Sequence, residues 1–334
     1  MPASLSYLIT KYFGEHLPLQ IGASANTISS YRDTMVQFLE YLDQQHGTRT
    51  PATLADFTDA VVAGFMLHLE NDRHVSVSTR NQRLAALHSF ARYVQRKELS
   101  CYDQCERVLA VPVKKTAQRS MAYLSVDEIQ LLLSIPEPAT KKGLRALAVL
   151  ATLYETAARV QELADLTLDH VQLGDSAGRI ELHGKGRKTR TVPIGKDAAT
   201  ILAHYMAAFN ITKPDQLLFT NSQGGKLTRV GIRYIVDKHV TLAKAANPAM
   251  FCVTVTNHTF RHSKAIHLLE AGVNLVYIRD FLGHSSVATT EIYARASPAI
   301  KERHILAHSA TIADHEKYAQ TEKEDLLNWL KHNI

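Results

Sequence analysis

From Ile28 onward, apolar side chains recur with the period of a helix: Ile28, Tyr31, Met35, Phe38, Leu39 and Leu42 share one face. Asn26 stands where the N-cap of that helix is expected. A second stripe, Val62, Phe65, Met66 and Leu69, predicts a helix over about 58–71. A third, Leu84, Leu87, Phe90, Ala91 and Val94, predicts one running on from Ser78. Arg80 and Arg83 fall in its opening turns, and His88 and Arg92, four apart, are expected on its polar side. Residues 1–110 therefore read as a helical bundle.

The periodicity stops at Val111. Residues 111–123 are polar, basic and proline-containing, with Lys114 and Lys115 adjacent, and read as a linker between domains. Ser125 and Glu128 then form a capping box that opens a second domain, 124–295, again mostly helical. Two short runs interrupt it, Arg179–His183 and Thr189–Ile194. They flank Gly184-Lys185-Gly186-Arg187-Lys188 and predict a β-hairpin with a basic tip. Gly283 is a natural stop for the helix ending Asp280-Phe281-Leu282. Ser285 or Ser286 would cap the next helix, with Tyr293 about two turns in. Beyond Arg295, a polar tail (296–334) ends in a helix-like segment with Leu326, Leu327, Trp329 and Leu330, an apolar face too small to fold alone. The expected fold class is mainly α with a small β-hairpin or sheet, in two domains followed by the tail.

Composition narrows the partners. Hydrophobic residues make up 46% of the 334 and charged residues 21%, as in an ordinary soluble globular protein. Lys and Arg number 38 against 32 Asp and Glu, a net charge of +6, which favours nucleic acid or another anionic surface without proving either. Cys101, Cys105 and Cys252 supply neither a disulfide framework nor a zinc set. The most apolar run, Leu144–Tyr154, contains Arg145 and is too short to span a bilayer. With no signal-peptide pattern at the N-terminus, a cytoplasmic, nucleoid-associated location and no membrane partner are expected.

Five signals stand in fixed order: Arg159, Lys185, the cluster His258-Thr259-Phe260-Arg261, His284 and Tyr293. His258 and Arg261, three apart on a predicted helix, can meet one phosphate, and Glu162 is spaced to orient the Arg159 guanidinium. Phosphodiester cleavage needs charge on the non-bridging oxygens, a nucleophile, and an acid for the leaving oxygen. Arginine's planar fork suits the first need, so Arg159 and Arg261 would clamp the phosphate, with His258 and His284 adding hydrogen bonds. Tyr293 would attack and form a phosphotyrosyl bond. Lys185, or alternatively Lys188, would protonate the departing hydroxyl. Fixed cations supply the field, so no metal or other cofactor is expected.

These segments resemble the tyrosine recombinase (phage integrase) family, of the Xer-like or transposon-borne kind. The resemblance rests on Ala158-Arg159-Val160-Gln161-Glu162-Leu163, the hairpin lysine, His-x-x-Arg, Leu282-Gly283-His284-Ser285 and the tyrosine nine residues after His284. It covers most of 124–295. More loosely, 1–110 is similar to the family's helical core-binding domain. The resemblance implies site-specific DNA recombination through a covalent 3′-phosphotyrosine. It further implies double-stranded DNA with inverted half-sites, a homodimer on one site, a homotetramer in synapsis, and a tail that docks on a neighbouring protomer. A partner recombinase or accessory proteins fit the same scheme. DNA contacts are expected from Arg80, Arg83, Arg92, Lys114, Lys115, Arg187 and Lys188. Family members often carry glycine before the first arginine, where this chain has Ala157-Ala158, and proline before the histidine, where it has Asn257. If the first of these turns requires φ > 0, alanine is strained there.

Three rivals remain on sequence alone: a type IB topoisomerase with the same chemistry, an inactive DNA-binding protein, and a metal hydrolase built on His258, His262 and His267. The last lacks the Glu of a His-Glu-x-x-His motif.

Overall fold

The computed structural model describes residues 4–46, 52–116, 121–174, 177–184 and 188–296, with 324, 325, 328, 329, 331 and 332 of the tail. The chain divides into two compact units, Met1–Arg119 and Ser120–Ile334. Among the described residues, no helix is long and apolar enough to cross a membrane.

The first unit contains α1 (Leu5–Lys11), α2 (Ala25–His46), α3 (Asp59–Asn71), α4 (Val77–Lys97) and α5 (Tyr102–Leu109). The three predicted stripes form its core: Met35, Phe38 and Leu42 of α2 meet Val62, Phe65, Met66 and Leu69 of α3 and Leu84, Leu87, Phe90, Ala91 and Val94 of α4, all buried. Phe38 packs edge-on against Phe65, with ring centroids 5.3 Å apart. The cap of α2 is two residues earlier than expected. Ser24 Oγ accepts from the Thr27 amide at 3.2 Å, and Asn26 lies inside the helix.

Arg80 is a correction. It sits four residues before Leu84, on the apolar stripe itself, and is 5% exposed. Its guanidinium pairs with Glu70 at 3.3 Å and donates to the Pro112 carbonyl at 2.9 Å. A side chain so committed fastens residues 111–116 to its own unit and is not presented to a phosphate. The beginning of the expected linker is accordingly packed: Val111 is buried, the Lys114 amide donates to Asn81, and the Lys114 ammonium pairs with Glu70. His88, expected on the polar side, is also buried, whereas Arg92 and Lys115 are exposed. Arg83 is half-buried, bonds Thr34 at 3.3 Å and lines a polar groove with Asn26, Ser30 and Thr79.

The second unit contains α6 (Val126–Ser134), α7 (Lys141–Thr156), α8 (Val160–Ala164), β1 (Val171–Leu173), β2 (Gly178–His183), β3 (Thr189–Ile194), α9 (Lys196–Ala208), α10 (Arg229–Ala246), α11 (Asn257–Glu270), α12 (Leu275–Leu282) and α13 (Glu291–Ala296). The Ser125–Glu128 capping box is formed. The hairpin is present, and β1, too short to show a pattern in the sequence, adds a third antiparallel strand in the order β1-β2-β3. Val171 faces Ile180 across one ladder and Ile180 faces Val192 across the other. Alternation turns Ile180 and Leu182 inward and Arg179, Glu181 and His183 outward. The apolar run Leu144–Tyr154 is the middle of α7, which packs on α9, α11 and β3. A separate apolar cluster of Ala157, Ala265, Ile266, Ile278, Leu282 and Tyr293 joins the end of α7 to α11, α12 and α13.

Lys185 and Arg187 lie outside the described residues, as do Leu326, Leu327 and Leu330 of the tail. The described tail residues are helical, with Trp329 57% exposed.

Candidate active site

Arg159 is the N-cap of α8, two residues after Ala157, whose φ of 48° and ψ of 32° place it in the left-handed region. The turn thus requires the backbone that glycine would adopt without strain, and alanine carries it. Glu162 fixes Arg159 twice: its carboxylate accepts from the Arg159 amide at 2.8 Å and from Nη1 at 2.8 Å. The expected i,i+3 pairing is therefore formed, and it also caps the helix.

The same carboxylate is held by a residue that the sequence did not flag. Arg190 of β3 donates Nη1 to Glu162 Oε1 at 3.0 Å and Nη2 to Oε2 at 2.7 Å, and Nε to the Phe281 carbonyl at 3.0 Å. Burial pushes the Glu162 carboxyl up, but the bonds and charges of Arg190 and Arg159 outweigh it and hold the group below the usual carboxylate range. The missed signal was strand alternation. Arg190 shares the inward face of β3 with Val192 and Ile194, a place where arginine is rare unless paired.

His258 and Arg261 sit in the first turns of α11, which Thr256 caps. Arg261 is 4% exposed and donates Nη1 to the Ala157 carbonyl at 2.8 Å and Nη2 to the Leu282 carbonyl. It thus ties the turn before Arg159 to the turn before His284. Burial first, then the charges of Arg159 and Arg190, bring the Arg261 pKa down to about 10. His258 is exposed at its surface, and partial desolvation, then Arg261 and Arg159, lower its pKa.

Gly283 closes α12 with φ 65°, as expected, and His284 follows in the connection. Its Nδ1 is 2.9 Å from the buried Thr290 hydroxyl. Burial first, then Arg261 and Arg159, lower the His284 pKa to about 4. Ser286 is the cap, but it opens a short 3₁₀ turn over Val287–Thr289, so Tyr293 lies in the first turn of α13 and not two turns in. Tyr293 is 1% exposed, stacks parallel to His284 with centroids 6.4 Å apart, and has its hydroxyl 3.2 Å from His262 Nδ1. Burial raises the Tyr293 pKa, partly offset by the charge and hydrogen bond of Arg261 and the charge of Arg159.

The sequence pattern offers His262 only as a rival zinc ligand, although its position one turn after His258 puts both on one face of α11. The proposed zinc trio does not assemble: His262 faces Tyr293, and His267 Nδ1 is bound 2.9 Å from the Tyr154 hydroxyl. Burial first, then His258 and Arg261, lower the His262 pKa to about 4.

A cleft of about 520 Å³ opens over these groups, lined by Arg159, Lys188, Arg190, His284, Ser285 and Thr289 among others. Lys188 is exposed on its wall. Asp280 also lines it but is engaged with Arg279. The centre holds three guanidinium groups, Arg159, Arg190 and Arg261, against the single buried carboxylate Glu162. An excess of fixed positive charge beside a phenol can receive an anion and favour nucleophilic attack on it.

A helical N-terminal unit, a helical second unit with a small antiparallel sheet, and this cluster of arginines, histidines and tyrosine define a tyrosine-dependent DNA strand-transfer enzyme. The chain belongs to the phage integrase family: the family profile matches residues 122–299, and the phage integrase N-terminal SAM-like domain matches 10–98. It is 36% identical over 304 residues to a Sinorhizobium fredii protein named integrase/recombinase y4rC, covering 90% of each chain. It is 33% identical over 290 residues to tyrosine recombinase XerD of Listeria monocytogenes, covering 85% of this chain and 93% of that one. The fold is similar to that of XerH site-specific recombinase bound to its difH substrate, with a TM-score of 0.66 at 22% identity, covering 85% of this chain and 80% of that one.

Proposed function

We propose that this protein is a site-specific DNA recombinase in which Tyr293 attacks a backbone phosphate, giving a 3′-phosphotyrosyl link and a free 5′-hydroxyl. The observation that carries the reading is the meeting of four separate segments: Arg159 and His284 line one cleft, Tyr293 stacks on His284, and the charges of Arg159 and buried Arg261 act on both. Arg159 and Arg261 would take the non-bridging oxygens, and burial strengthens those charge-assisted bonds. His284, neutral at neutral pH and held at Nδ1 by Thr290, would donate from Nε2 to one of them when the threonine hydroxyl donates to the ring. His262 lies where it can accept the Tyr293 proton, and attack then proceeds from an oxygen flanked by guanidinium groups. Lys185, or Lys188 on the cleft wall, would give a proton to the leaving oxygen. The bond energy is conserved in the phosphotyrosine, so resealing requires no nucleotide.

On this reading two protomers would bind inverted half-sites in duplex DNA, two such pairs would synapse, and the tail would reach a neighbouring protomer. Exposed Arg92, Lys115 and Lys188 are the proposed phosphate contacts among the described residues, with Arg83 at the edge of its groove.

The test is covalent trapping on nicked duplexes carrying the ends of the source element, alongside a randomised pool. The wild type is expected to give SDS-resistant adducts enriched for inverted half-sites, and Tyr293→Phe none despite normal DNA retention. An adduct that survives Tyr293→Phe would assign the nucleophile elsewhere.

A further inference from the structure

Outside the catalytic cleft, three donor side chains meet on the outer face of the sheet. His170 precedes β1, and continuation of the Val171–Ile180 register places it opposite Glu181. Alternation along β2 puts His183 on the same face as Glu181. The ligand-type atoms of His170, Glu181 and His183 all lie within 4.8 Å of one another, the one such group of three among the described residues. The two Nε2 atoms are 2.7 Å apart, and a Glu181 oxygen is 3.4 Å from His183 Nε2.

The rings are also aimed from behind. His170 Nδ1 is 2.9 Å from the Thr167 hydroxyl, and His183 Nδ1 is 3.2 Å from that of Thr189. Thr167 gives its own proton to Asp169, so its oxygen accepts from His170 Nδ1–H. This contact outweighs the longer approach of the Thr167 amide, at 3.4 Å. An imidazole whose Nδ1–H is spent on an oxygen presents Nε2 as a lone pair, which is how metal-ligating histidines are held.

We infer that His170, His183 and Glu181 form a binding site for a transition-metal dication, Zn²⁺ being the best match. Two imidazoles and one carboxylate favour zinc over the hard, oxygen-seeking Mg²⁺ and Ca²⁺. Three protein ligands leave a position for water. Zn–N bonds of about 2.0 Å at a tetrahedral angle need the two nitrogens about 3.3 Å apart. The rings must therefore open from 2.7 Å, a small rotation for half-exposed His183. Without metal, one Nε2–H donates to the other ring; zinc binding requires His183 to carry its proton on Nδ1 instead, where the Thr189 hydroxyl can accept it. His183 directly precedes Gly184 and stands two residues before Lys185. Occupancy would thus tie the root of the hairpin to the entry of β1. The site is independent of the recombinase reading.

The test is calorimetric titration of zinc chloride into the full-length, chelator-treated protein. One saturable equivalent is expected. His170→Ala and His183→Ala should each weaken it at least tenfold, and Thr189→Val by roughly 10–100-fold. Hydrogen exchange gives a second readout: zinc should slow the amides of 183–189 in the wild type and not in His183→Ala. His183 is exposed enough for its variant to fold, and circular dichroism without metal checks all three variants. A wild type with no one-equivalent event, or an isotherm that both histidine variants leave unchanged, overturns the proposal.

Discussion

Arg190 grips both carboxylate oxygens of Glu162, at 3.0 and 2.7 Å, while that carboxylate holds Arg159. A strand of the hairpin is thus wired to Arg159, the first proposed phosphate-binding arginine, and through the Phe281 carbonyl to the segment that carries His284.

Arg190→Gln should therefore lower cleavage by about 10–100-fold while DNA affinity changes less, because Arg159 loses its fixed orientation. Glu162→Gln should be harsher on folding, costing about 3 kcal/mol, since it leaves arginines crowded around a neutral group. The Glu162 pKa is depressed on folding, so its stabilisation is present above the ordinary carboxylate pKa and is lost as pH falls through the lower, folded value. Urea denaturation of wild type and Glu162→Gln should therefore converge in acid. A constant gap at every pH would count against the pairing.

His262 faces Tyr293, the proposed nucleophile, and is not one of the groups proposed to bind phosphate. His262→Ala is expected to slow formation of the covalent adduct by about 10²-fold or more with little loss of DNA binding. His262→Asn, which retains an acceptor, should recover part of the rate. Equal loss in both variants would reduce His262 to packing.

The site histidines are depressed together: His258 downward, His262 and His284 to about 4. Between about 4 and the ordinary 6.5, the unfolded chain binds protons that the folded chain does not, so stability should fall as pH drops through that window. A bound phosphate reverses the preference by stabilising imidazolium. DNA binding at about pH 5.5 should then take up protons, and at about pH 8 almost none. Calorimetry in two buffers of different ionisation enthalpy measures this directly.

Replacing the 5′-bridging oxygen of the scissile phosphate by sulfur gives a leaving group that needs no acid. Lys185→Ala should cleave the oxygen substrate about 10²–10⁴-fold more slowly and regain speed on the sulfur substrate. If Lys188→Ala shows that pattern instead, the acid is the lysine on the cleft wall.

Ala157→Gly sets two effects against each other. Relief of the left-handed alanine is worth about 1 kcal/mol. The substitution also removes a fully buried methyl, worth about 0.8 kcal/mol, and adds freedom to the unfolded chain. The net change in thermal stability should therefore be within about 1 kcal/mol and not a gain. A clear stabilisation would show that the methyl contributes little to the cluster around Tyr293.

Much of this protein is local in origin and so legible in the chain itself. The three apolar stripes of the first unit, the Ser125–Glu128 box, the Gly283 stop and the hairpin strands follow from side-chain period, caps and φ preference, which act over a few residues. The order of Arg159, His258, Arg261, His284 and Tyr293 was legible too, because each lies in a short segment of distinctive chemistry. What only tertiary structure decided was the environment of each charge. Arg80 and Arg92 look alike in sequence, yet one is locked to Glu70 and Pro112 and the other is exposed. Arg190 and His262 gained their roles from Glu162 and Tyr293, 28 and 31 residues away in the chain. Burial, pairing and pKa depend on what the fold brings within a few ångströms, and no local pattern encodes those neighbours.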